Sequence, residues 1–153
     1  MGAADMISGA GGLICDSVRT GLHVDVYLKT VDAEKALQIL GVSAQTLPAE
    51  FDFAADWPDA IVFAAALHEK HCGVRRLITD AARGRRADLA LWDGTWPTGL
   101  DAGVKVEHRL SAAVRAFKLH AMQAVAANSQ TAPSETFHAT KSRIADLAMP
   151  VLA

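Results

Sequence analysis

The chain has 153 residues, a formal charge of −2, 51% apolar residues and 21% charged ones. That length buries a core without disulfide or metal staples, and the composition excludes a disordered chain. The near-neutral charge balance excludes a globally basic nucleic-acid binder, and no window approaches the unbroken apolar length of a membrane span.

Residues 1–20 are small and glycine-rich and are expected to form a loose N-terminal arm. Gly9-Ala10-Gly11-Gly12 hints at a phosphate loop but lacks the P-loop lysine and a preceding strand. In residues 22–29, Leu22, Val24, Val26 and Leu28 alternate with polar neighbours and Tyr27, the pattern of a half-buried strand. Asp32 is placed to cap a short helix over 33–40, with Gly41 to end it. The stretch 42–56 is turn-rich, with Leu47, Phe51 and Phe53 as anchors.

Residues 57–84 carry the densest combination of apolar and polar chemistry. Pro58 suits a first helical turn, and residues 60–67 are apolar on every side, so a buried helix is expected there. After Gly73 a second helix over 74–83 would turn Leu77, Ile78 and Ala81 inward, although 74–79 also has strand-forming residues. Residues 87–92 and 103–107 alternate as strands and are candidate partners for 22–29, with Asp93-Gly94 as a turn. A longer helix over 110–127 has the stripe Leu110, Val114, Phe117, Ala121 and Val125, with Lys118 off it. Residues 128–142 read as a polar linker before a weak segment at 143–147.

These elements imply one helix-dominated α+β domain over 21–127 with a small sheet, flanked by the arm and by a polar 128–153. An all-α helical bundle with one short strand is the alternative. Cys15 and Cys72 are in no CxxC arrangement, which suits a reducing compartment, and the N-terminus has no signal-peptide pattern. A cytoplasmic location is expected.

His68, His71 and Cys72 stand at spacings of three and four, so a helix would project them from one side. They are competent donors for zinc or another borderline transition metal, with Glu69 as a proton carrier. The competing reading is a helix end whose His and Lys side chains complement the dipole, with no cofactor. Arg75, Arg76, Arg83, Arg85 and Arg86 form a local basic cluster able to meet phosphate, nucleic acid or an acidic protein partner. An Arg76–Asp80 pair within a solvated face is the plainer account. Trp92 and Trp96 flank the turn as candidate interaction residues.

The run Gly84 to Asp93 resembles the strand that follows the barrel in many amidohydrolases, but the chain is too short for that barrel and has no His-x-His pair. The helix-Gly-helix pattern around Gly73 is similar to helical adaptor domains of bacterial defence proteins. With no complete catalytic constellation, the leading expectation is a non-catalytic interaction or assembly module built on a helical hairpin. Its partner would be another protein or a second copy of the chain, rather than nucleic acid or a membrane. The alternatives are a small metal-binding protein or metal-dependent enzyme using His68, His71 and Cys72, and phosphate or nucleic-acid binding through Arg75 to Arg86.

Overall fold

Five consecutive residues decide the architecture. Ala60, Ile61, Val62, Phe63 and Ala64 are all buried, and they form a strand, β3 (Ala60–Ala64), rather than the first turns of a helix. A run that is apolar on every side suits a central parallel strand covered on both faces as well as it suits a buried helix. Two β-branched residues and a phenylalanine in succession favour the extended form. Full burial of Ile61, Val62 and Phe63 contributes about 1.5–3 kcal/mol each.

The computed structural model describes residues 2–101, 103–127, 130–140 and 149–152, with the backbone alone at 149 and 150. Besides β3, its strands are β1 (Val24–Leu28), β2 (Ala44–Thr46), β4 (Asp88–Trp92), β5 (Val104–Arg109), β6 (Ser134–Ala139) and β7 (Met149–Leu152). They form one seven-stranded mixed sheet in the order β2-β1-β7-β3-β4-β6-β5. The first five strands in that order run parallel, and β6 runs antiparallel to both β4 and β5. The fold is therefore α/β, not a helix-dominated α+β domain with a small sheet and not an all-α bundle. The partners of β1 are β2 and β7, not the strands near 87–92 and 103–107.

The helices are α1 (Ala3–Arg19), α2 (Glu34–Leu40), α3 (Ala65–Lys70), α4 (Cys72–Gly84) and α5 (Ala112–Ala124). Because β1–α2–β2 and β3–α4–β4 extend the sheet in opposite directions, right-handed crossovers place α2 and α4 on opposite faces. Accordingly α1, α2 and α5 pack together, with α1 also meeting β1 and β6, while α4 packs on β4. As expected from the sequence, Leu77, Ile78 and Ala81 are the inward residues of α4, and Gly41 ends α2 in the left-handed region at φ +85°. The aromatic anchors also hold: Phe51 meets Tyr27 edge-on at 5.4 Å and stacks on Phe53 at 5.8 Å, and Phe53 reaches Trp57 at 5.6 Å.

Residues 1–20 are not a loose arm, since α1 occupies most of them and Met6, Ile7, Ala10, Leu13 and Ile14 are fully buried. Its glycines are not a phosphate loop. A Cβ at Gly9 would collide with the Trp92 ring, and one at Gly12 with Leu110 and Glu135. Their missing side chains let α1 lie against the sheet. Nor is the region after 127 wholly a linker, because β6 lies within it and β7 enters the centre of the sheet. The weak segment at 143–147 lies outside the described residues.

Between α1, α5 and β6 sits a buried ion pair. Lys118 Nζ lies 2.6 Å from Glu135 Oε1 and donates to the Ser8 carbonyl at 2.5 Å. Glu135 in turn accepts from Gly12 N–H at 2.7 Å and Leu13 N–H at 2.8 Å. The sequence stripe placed Lys118 outside and Phe117 inside, yet Lys118 is 3% exposed and Phe117 is 38% exposed under the Arg19 guanidinium. Removing one member of such a pair leaves an uncompensated buried charge, typically costing about 3–5 kcal/mol. Glu135→Ala is expected to lower stability by that amount in a urea titration. Lys118→Met/Glu135→Leu is expected to recover only part of it, because Gly12 and Leu13 still lose their acceptor.

Candidate functional site

The carboxyl ends of parallel strands are where α/β folds leave an open crevice, since the chain there leaves the sheet for helices and loops. At the ends of β3 and β4 this chain has one of about 390 Å³, lined by Ala65, His68, Glu69, Arg75 and residues 95–98. One wall is α3, which starts directly from β3. The other follows β4, where Asp93 turns the chain at φ +56° and Gly94 passes so close to Ala65 that a Cβ there would strike it. The Asp93-Gly94 turn read from the sequence thus sets the distance between the two walls.

His68 is the chemically active group in this crevice. It is half-buried, with its ring 5.9 Å from Phe63. Burial pushes its pKa below the ordinary histidine value, and the Arg75 guanidinium lowers it further against an opposing effect of Glu69. Neutral imidazole therefore predominates near neutrality, the form that accepts a proton. Arg75 is anchored across the turn, with Nε donating to the His68 carbonyl at 3.3 Å and Nη2 to the Glu69 carbonyl at 2.5 Å. Those acceptors are neutral, so the guanidinium keeps its full charge and further N–H groups beside His68.

The helix expected to hold His68, His71 and Cys72 on one side is broken between them. His71 is extended (φ −118°, ψ 111°), ends α3 and caps α4, with Nδ1 accepting from Val74 N–H at 3.2 Å. That bond commits one ring nitrogen and places the proton on the other, leaving His71 no free lone pair. Cys72 is exposed in the first turn of α4. Among the described residues no group of three His, Cys, Asp or Glu side chains is arranged to hold a metal ion. Glu69 lines the crevice but is exposed.

The arginines divide between different tasks. Arg76 pairs with Glu50 at 3.5 Å on the surface rather than with Asp80, and Arg86 lies over the Trp57 ring at 5.1 Å. Arg83 and Arg85 line a larger groove that continues from the crevice. Trp92 is not an interaction residue, being 2% exposed and packed on Gly9. Trp96 borders the crevice with its Nε1 donating to the Asp101 carbonyl at 2.7 Å. Of residues 95–98 the sequence had singled out Trp96 alone; Thr95, Pro97 and Thr98 were missed, their only signal being their position after a strand ending in a turn.

No protein-family model matches this chain, and no curated protein matches it. Its structure is similar to the crystal structure of the antimicrobial reagent A40926 pseudoaglycone deacetylase Dbv21, with a TM-score of 0.59. The sequences are 15% identical, and the match covers 90% of this chain and 93% of that one. The likeness is one of fold, and that neighbour is an enzyme. The expectation of a non-catalytic interaction module is corrected: the fold is one that a deacetylase shares, and the apolar stretch at 60–67 that called for a partner lies mainly in β3, inside this chain's own sheet. The joined α3–α4 pair is interrupted at His71, not Gly73, and with residues 60–64 in the sheet the apolar basis for a helical-hairpin protein-binding surface or a homo-oligomer contact is gone. No helix among the described residues is long and apolar enough to cross a membrane.

Replacing Arg75 by glutamine removes a positive charge from beside His68 and is expected to raise its pKa toward about 6.5. An NMR titration of the His68 ring protons reads this directly: the midpoint lies below the free-histidine value in the parent and moves upward in the variant. Because His68 is harder to protonate folded than unfolded, its contribution to stability falls as pH drops through the unfolded value.

Proposed function

We propose that this chain is a hydrolytic enzyme that removes an acyl group from a small molecule, working in the crevice at the ends of β3 and β4. The observation that carries the reading is His68, held neutral beside a fixed Arg75 in an open crevice at the carboxyl ends of two adjacent parallel strands. Support also comes from the fold, which resembles that of a deacetylase. Acyl removal needs a base to take a proton from the attacking water, a positive group for the oxygen that gains charge, and a proton for the departing amine or alcohol.

His68 meets the first and third needs. It takes the proton as the water oxygen bonds to the acyl carbon, then returns it to the leaving group as the old bond breaks. Arg75 meets the second, since its unspent N–H groups lie beside His68 in the same lining. Residues 95–98 close the crevice from the β4 side and restrict it to a small acyl group. We place the enzyme in the cytoplasm, a reading supported by two cysteines that are both free, one buried and one exposed.

The test is release of acetate from a panel of N- and O-acetylated compounds by the untagged protein. His68→Ala is expected to lower kcat by about a hundredfold to ten-thousandfold, the range of general acid–base contributions. Full activity in that variant, or no acetate from any member of the panel, would remove the reading.

A further inference from the structure

The crevice does not end at Arg75. It opens into a groove of about 860 Å³ that shares His68, Arg75, Pro97 and Thr98 with it. Arg75, Thr79, Ala82 and Arg83 stand at i, i+4, i+7 and i+8 on α4, a single helical flank, and Arg85 follows at the helix C-cap. At 1.5 Å per residue this wall runs about 15 Å from Arg75 to Arg85. Residues 97–101 and Thr140 supply other lining, and Ala81, Ala87, Leu89 and Leu100 make part of it apolar. The shape suits an extended ligand with one end at His68.

Charge identifies the other end. Arg83 and Arg85 are exposed, and among the described residues neither guanidinium makes an ion pair or a hydrogen bond. The acidic groups in the lining are Asp88, which is engaged in another interaction, and Asp101, which lies on the loop between β4 and β5. Both line this groove, so two unengaged guanidiniums stand at its far end to meet an anion. Building on the hydrolytic reading above, we propose that the substrate places its acyl group beside His68 and an anionic group, phosphate or carboxylate, between Arg83 and Arg85.

Calorimetric titration of the full chain with acetamidohexanol, its phosphate ester and acetamidohexanoate tests this, since the three share an acetamide and a hexyl chain. At low salt at least one anionic probe is expected to bind tenfold or more tighter than the alcohol, and the better one identifies the anion. Arg83→Gln/Arg85→Gln is expected to abolish that advantage, as is high salt, whereas His68→Ala retains it. Equal affinities for all three probes, no binding by any, or an advantage that survives in the double variant overturns the proposal. Acetate release is read separately: anion-dependent binding with no hydrolysis of any acylated compound would overturn the hydrolytic reading and leave the anion groove standing.

Discussion

The ion pair between Lys118 and Glu135 is the constraint on which one whole face of the molecule depends. Ser8 and Gly12 are four residues apart in α1, so their carbonyl and N–H are the groups a helix would pair with each other. Here Lys118 from α5 meets the first and Glu135 from β6 meets the second. The consecutive elements α5 and β6 are thereby fixed to the distant N-terminal helix α1 inside a mainly apolar layer. Such pairs contribute more to specifying an arrangement than to net stability, because desolvation offsets much of their attraction. The absence of a side chain at Gly12 is what makes room for the carboxylate.

With α1, α2 and α5 fixed on one face, the other belongs to α4 and to the loop carrying Phe51, Phe53 and Trp57. On this second face His68 and Arg75 converge. The reason is topological: β3 and β4 are parallel neighbours, so the segments leaving them emerge at the same end of the sheet. Ala65 and Gly94 set the gap between those segments, His68 projects into it, and Arg75 reaches back across the turn to hold the α3 carbonyls. The groove along α4 continues from the same opening.

Local features were well written in the sequence. Alternation located β1, β4 and β5, Gly41 marked the end of α2, and spacing gave the buried stripe of α4. What failed was the reading of residues 60–67, where periodicity is silent because every position is apolar. The choice between strand and helix was made by neighbours on both sides of the sheet, which only the long-range fold supplies. Lys118 was misplaced for a related reason: its partner Glu135 lies in another element, so helical spacing had no means of showing that a charge belonged inside. At the site, His68 and Arg75 were singled out for a metal and for a basic patch. Their actual relationship arises from the break at His71, where a side chain expected to bind an ion caps the next helix instead.

The proposed hydrolysis requires small acyl ligands to enter between the ends of β3 and β4. Two-dimensional amide NMR of isotopically labelled protein, titrated with acetamide, tests this most directly. Saturable shifts confined to the amides of Ala65, His68, Arg75, Thr95, Trp96 and Thr98 are expected. Shifts centred elsewhere, for example around the Asp16–His108 pair on the opposite layer, or none at saturating acetamide, would contradict it.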